Sequence, residues 1–332
     1  MAGQLWAVNS LGGFYYSLNL SKELRMGVQA TSKFRQFCDI KDAWDKVTRS
    51  GQTFTWDTVP MLTRASRQLT ETNTIPQGAH TVVQATLTVY ERGFSVPYTE
   101  MLEKMSKFAV RQPVMKVLKY DAQVDMDCVA HAEFNKTPLR VVSTSSADTA
   151  FTLTTNSTAT ATNTTFLSKI NVRAIVDGMK SRNIPFYDSS CYYAIGRPSA
   201  LKLLKADLEG IHQYTETGLE MIMNGEVGKY WECKFVEQTT VPAGGAADST
   251  TFDPFTDTGD AWDGSAGDWV FFFGEDTCCE AIHTPEEMRS KIPDDYGRSK
   301  GVAWYGLVGY GIAHADSSNT QQARVVKFDS AA

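Results

Sequence analysis

The chain has 332 residues, is 42% hydrophobic and carries a formal charge of −6, enough apolar material for a sizeable core in two domains or in one domain with a large insertion. No apolar run approaches the roughly 20 residues needed to cross a bilayer, and residues 1–20 lack the basic start of a secretory signal, so neither a membrane span nor export is expected. Six scattered cysteines without a CxxC pair argue against a disulfide framework, and adjacent Cys278 and Cys279 read as small buried apolar residues.

In chain order, residues 1–50 read as an arm with one or two amphipathic helices, since Leu24, Val28, Phe34 and Phe37 recur near helical spacing. This arm holds seven basic and four acidic side chains, whereas twelve acidic and no basic residues lie between Phe235 and Met288. Solvated faces are the plain reading of such unevenness. The sharper one makes Lys22, Arg25, Lys33 and Arg35 contacts to a polyanion.

Residues 52–62 carry Phe54, Trp56 and Val59 among threonines, and residues 81–90 alternate Val83, Ala85, Leu87 and Val89 with polar side chains. That alternation predicts a half-buried hairpin. Between the arms, residues 63–80 hold Arg64, Arg67, Glu71, Asn73 and Gly78, too polar for a core and too long for a tight turn. Arms of about eleven residues reach ~36 Å, beyond the ~20 Å radius of gyration of a globule this long, so the hairpin is expected to project. Its apolar face then needs cover from another subunit, with Phe54, Trp56, Leu87 and Val89 as contact residues, alongside Arg64 and Arg67. Packing within their own sheet is the alternative for each apolar one.

Pro97 and Thr99 open a helix with Met101, Leu102, Met105, Phe108 and Ala109 on one face. Pro113 interrupts it, and residues 114–134 continue without Gly or Pro for ~30 Å. Met115, Leu118, Ala122 and Val129 form one stripe and Val117, Val124 and Cys128 another, which predicts packing on two sides. Residues 141–165 are rich in Thr, Ser and Ala and read as surface strands or loop rather than core. A mixed α/β stretch follows: helix 171–182, turn 183–185, buried strand 191–196, helix 199–208 and strand 230–237. Residues 242–267 read as a long insertion loop, and strands 269–273, 302–313 and 323–328 complete the chain.

Catalytic signatures are missing. There is no phosphate-cradling glycine loop and no nucleophile elbow; Gly306, Gly309 and Gly311 alternate inside a strand pattern and point to close packing. Cys279 and His283 would share a metal only from one helix turn, and the aspartates from Asp253 to Asp268 lack the order of a calcium loop. Neither an enzyme nor a cofactor is expected.

The run 224–237, NGEVGKYWECKFVE, resembles a pattern of tailed-bacteriophage major capsid proteins. It follows, in that family's order, the 171–185 helix and turn, the 192–198 strand YYAIGRP and the 201–207 helix. Upstream, the hairpin resembles the family's extended loop and residues 99–134 its peripheral-domain helices, so most of residues 1–240 is covered; the likeness is nearest to coat proteins of short-tailed phages of the enterobacterial N4 type. The resemblance implies an α+β, Hong Kong 97-like capsid fold: an N-terminal arm (1–50), an extended loop (51–97), a peripheral domain with a long spine helix (98–140), an axial α/β domain (141–268) and C-terminal strands returning to both domains (269–332). It implies a structural protein of the virion that self-assembles into hexamers and pentamers of an icosahedral head, built in a host bacterial cytoplasm. Implied partners are sister subunits, portal and scaffolding proteins, a decoration protein, and packaged double-stranded DNA held non-specifically by Lys22, Arg25, Lys33 and Arg35. Some relatives crosslink through a lysine on the extended loop, but no Lys lies between Lys46 and Lys104, so a non-covalent shell is expected. The competing readings are another shell-forming particle of the same fold, enclosing cargo in the manner of an encapsulin, and a β-rich binding or adhesion module.

Overall fold

Val270, Phe271, Phe272 and Phe273 are all fully buried, and that uninterrupted apolar run explains the centre of the molecule. A strand buried on both faces has no reason to alternate. In a computed structural model of the protein, the described residues are 33–41, 52–59, 66, 68–71, 74–80, 82–143, 151–154, 166–212, 228–240, 267–314 and 323–331. The first strand is β1 (Cys38–Lys41), followed by the hairpin β2 (Thr53–Thr58) and β3 (Val83–Thr88), then β4 (Tyr90–Thr99), α1 (Glu100–Met105) and α2 (Arg111–Asn135). Next come β5 (Leu139–Ser143), β6 (Phe151–Thr154), α3 (Lys169–Ser181), β7 (Tyr192–Gly196), α4 (Pro198–His212), β8 (Lys229–Tyr230) and β9 (Cys233–Glu237). The chain closes with β10 (Gly267–Phe273), β11 (Cys278–Ser290), β12 (Ser299–Ile312) and β13 (Val325–Ala331).

Seven strands form one mixed sheet in the order β6-β5-β13-β10-β7-β9-β8, and four form a second in the order β1-β11-β12-β4. Along β10, Val270 and Phe272 join α3 and α4 in one core, while Trp269, Phe271 and Phe273 join α2 and Phe34 in another. Helix α2 lies against both sheets. Its buried residues Val114, Leu118, Ala122, Met126, Ala130 and Phe134 recur every four residues, and the stripe meets two partners along its length. In its middle, Asp121 accepts from Trp304 Nε1 at 2.7 Å and Asp125 takes Arg92 at 3.1 Å, both on the four-stranded sheet. In the last turn, Phe134 contacts Phe271 and Phe273 of β10.

Thr99 caps α1, its hydroxyl accepting from Leu102 N at 3.3 Å, and Ser168 caps α3 from its own side chain. Pro113 does not interrupt α2; it sits in the first turn, where its missing N–H would have had no intrahelical partner. The second stripe expected on α2 does not form as such, for Val117 is 46% exposed and only Val124 and Cys128, further along, are half-buried. Val141 and Ser143 are fully buried strand residues, so the start of the Thr/Ser-rich stretch is core, contrary to expectation. The single strand expected over 230–237 is a hairpin, β8 to β9, turned at Trp231 and Glu232 with φ of 48° and 60°. Strand β11 runs where the sequence pattern marks no strand. The insertion loop expected over 242–267 lies almost wholly outside the described residues.

Candidate assembly surface

The hairpin places a non-polar face on its own chain before it leaves the body. Pairing runs from Thr53 with Thr88 to Thr58 with Val83, which sets Phe54 beside Leu87 and Trp56 beside Ala85 on one face. That face rests on β12 where Gly309 and Gly311 leave room: a Cβ on Gly309 would stand 2.5 Å from Thr88 O, and one on Gly311 would stand 3.3 Å from the Trp56 ring. The alternating glycines therefore do permit close packing, as the sequence suggested. Trp56 Nε1 donates to Ala313 O at 3.4 Å, and Leu87 and Val89 are buried with Cys279, Ala281 and Ala313.

The expected contact set shifts accordingly. Leu87 and Val89, 1% and 5% exposed, are covered within their own chain by Cys279, Ala281 and Ala313. Phe54 and Trp56 are half-buried on the same core. Arg64 and Arg67 lie outside the described residues. What projects is the far part of the loop, where Val59, Leu69, Ile75 and Val82 are 67%, 45%, 69% and 53% exposed. Every described residue from 66 to 80 is exposed apart from Pro76. A second projection is the β11–β12 tip, with Ile292 87% exposed and Tyr296 wholly so. Asp295, Tyr296 and Gly297 in positive φ turn that tip, and Ser299 N donates to Asp294 O at 3.2 Å across it.

Opposite in character is the seat of the arm. Phe34 is buried among His131, Phe134 and Phe271, and the Asp127 carboxylate accepts from the backbone N–H of Lys33 at 2.9 Å and of Arg35 at 3.1 Å. Burial of Asp127 outweighs those bonds and pushes its pKa up to about 6. The Arg35 guanidinium pairs with Glu280 at 2.8 Å and with Glu286, and Tyr310 donates to Glu280 at 3.0 Å. Burial and the neighbouring Glu280 both push the Tyr310 hydroxyl up, so it remains a donor. Arg35 is thus paired with two carboxylates of its own chain, and its side chain is 28% exposed. Lys22 and Arg25 lie outside the described residues, and of Lys33 the backbone alone makes a described contact. Buried charges at Asp127, Glu280 and Lys327 went unflagged by sequence reasoning. Only the alternation of β13 hinted at Lys327, which it places on the Trp269 face, with Nζ 3.0 Å from the ring centroid and 2.5 Å from Asn135 Oδ1.

Cys279 and His283 are on a strand, not a helix turn; Cys279 is buried and His283 exposed, and four strand residues span ~13 Å, so they do not share a metal. Among the described residues there is no group of three potential metal ligands, and no helix is long and apolar enough to cross a membrane.

No protein-family model matches the sequence, and no curated protein matches it either. Solved structures do match over nearly the whole chain. The capsid structure of Helicobacter pylori bacteriophage KHP30 is 12% identical with a TM-score of 0.67, covering 96% of both chains. The capsid of cyanophage P-SCSP1u is 12% identical with a TM-score of 0.66, covering 96% of this chain and 93% of the other. The capsid of cyanophage Pam1 is 13% identical with a TM-score of 0.62, covering 98% and 99%. The chain has the mixed α+β fold of these phage capsid chains.

Proposed function

We propose that this chain is the major capsid protein of a tailed bacteriophage, a structural protein whose copies close into the icosahedral head. The observation that carries the reading is the end-to-end correspondence with capsid chains, 98% of this chain and 99% of the other in the comparison with cyanophage Pam1. The Hong Kong 97-like assignment, the nearness to N4-type coats and the division into arm, extended loop, peripheral and axial domains all belong to this proposal.

Two features of the surface support it. Isolated exposed apolar residues need no explanation, but four along one projecting loop do. Burying Val59, Leu69, Ile75 and Val82 on a sister molecule would contribute about 1.5–3 kcal/mol for each fully covered side chain. The polar face of the hairpin, Thr53, Thr55 and Asp57 against Thr88, Thr86 and Gln84, suits a ribbon lying between a neighbour and solvent. Hexamers and pentamers, portal and scaffolding partners, a decoration protein and non-specific contact with packaged DNA complete the reading, with Lys22, Arg25, Lys33 and Arg35 as basic candidates of the arm.

Negative-stain microscopy and sedimentation of the purified chain, alone and with its scaffolding partner, test it. Closed shells or capsomer rings are the expected result; a monodisperse monomer at every concentration and with the partner present would overturn it.

A further inference from the structure

One pair of residues in the arm seat has a chemistry that packing does not use. β1 pairs in parallel with β11, and the register sets Cys38 directly opposite Cys278. Both side chains point into the core shared with α2, being 8% and 1% exposed, whereas the adjacent Cys279 faces the hairpin core on the other side of the sheet. Register partners on neighbouring strands have Cα atoms about 4.8 Å apart and parallel Cα–Cβ bonds, inside the window of roughly 4.4–6.8 Å that a disulfide requires. The Cys38 thiol donates to Phe34 O at 3.6 Å and the Cys278 thiol to Cys279 O at 3.9 Å.

We propose that Cys38 and Cys278 form a redox-switchable staple: a dithiol under reducing conditions, and after oxidation by a low-molecular-weight disulfide an intramolecular bond that ties β1 to β11. The inference rests on strand register alone and stands whether or not the chain builds a shell.

The step balances through thiol–disulfide exchange. One cysteine thiolate attacks a sulfur of the small disulfide, forming a mixed disulfide and expelling one small thiolate. The second cysteine, deprotonated, then attacks the protein sulfur of that mixed disulfide and expels the other. Two protein thiols are oxidised, the small disulfide is reduced to two thiols, and the two protons lost by the protein are taken up by them. In the closed sheet the Cys278 thiol is held protonated, first by its contact with Cys38 and then by burial, so attack begins only when β1 opens. Opening is local, because β1 is a four-residue edge strand. The staple therefore closes around a loop from residue 38 to residue 278, the long-loop case in which a crosslink restricts the unfolded chain most.

The test uses the whole folded chain, reduced and then incubated with oxidised glutathione. Free thiols are blocked, the protein is digested without reductant, and the peptides are mapped by mass. The expected result is a linked pair of peptides carrying Cys38 and Cys278, faster migration on a non-reducing gel, and a thermal midpoint above that of the reduced form. Cys38→Ser should abolish the link and the shift, while Cys191→Ser leaves both intact. Recovery of Cys38 and Cys278 as separately blocked peptides from the wild-type chain would overturn the proposal, whether because neither reacts or because each keeps a glutathione. Since the wild-type map decides, a variant that fails to fold does not remove the test.

Discussion

Asp127 carries an energetic conflict that a pH titration can read. Its carboxyl is fully buried and its pKa is raised from 3.8 to about 6, so the folded chain holds this proton more tightly than the unfolded chain does. A raised folded pKa means stability that is complete below pH ~4 and is lost as the pH climbs through about 6, a swing on the order of 3 kcal/mol. His131 pulls the other way, for burial and then nearby Lys327 lower it to about 3, and its share is lost as the pH falls below ~6.5. The difference between wild type and Asp127→Asn isolates the aspartate: urea denaturation should show the variant gaining on wild type by up to about 3 kcal/mol between pH 4 and pH 7. A pH-independent difference would remove the buried-charge account. Gly309 gives a second prediction at this scale. Gly309→Ala would drive a methyl against Thr88 O and the Leu87 side chain, so denaturation should show a loss of roughly 2 kcal/mol, the usual cost of overpacking.

Among the elements, the hairpin divides into a base that stabilises its own chain and a loop that does not. Trp56→Ala removes a half-buried ring and its bond to Ala313 and should cost about 2–3 kcal/mol on unfolding. Ile75→Asp, on the exposed loop, should leave unfolding within about 0.5 kcal/mol of wild type while abolishing assembly in sedimentation. Equal effects of both on unfolding would contradict this division. The pattern of legibility follows the same physics. The hairpin, the long helix, the α3–β7–α4 unit and β10 were visible because period-2, period-3.6 and fully apolar patterns each appear there without interruption. β11 was hidden because Pro285 and the adjacent Glu286 and Glu287 break its alternation, and its register with β12 shifts once before that proline and once across it. The seat of the arm was illegible for a different reason: nothing local in Lys33, Phe34 and Arg35 announces partners at Asp127, Glu280 and Glu286, far along the chain. Which hydrophobic residues of the hairpin stay at home could not be read either, because burial of Leu87 and Val89 depends on glycines in β12.

Across the whole molecule, two sheets share α2, and the arm, α2 and β11 are knit by one buried set of charges and aromatic rings. The body carries two projections whose apolar residues have no cover on the described chain: the described residues of the 66–80 loop and the tip at Ile292 and Tyr296. The proposed shell gives both a place to be buried, on the order of 800 Å² for each partner in a specific contact. The most direct measurement is an electron-microscopy map of the assembled particle at a resolution that traces the backbone. The account predicts residues 68–82 lying across an adjacent subunit, with Ile75 and Val82 buried there. A map in which this loop folds back on its own chain or stands free in solvent would contradict it.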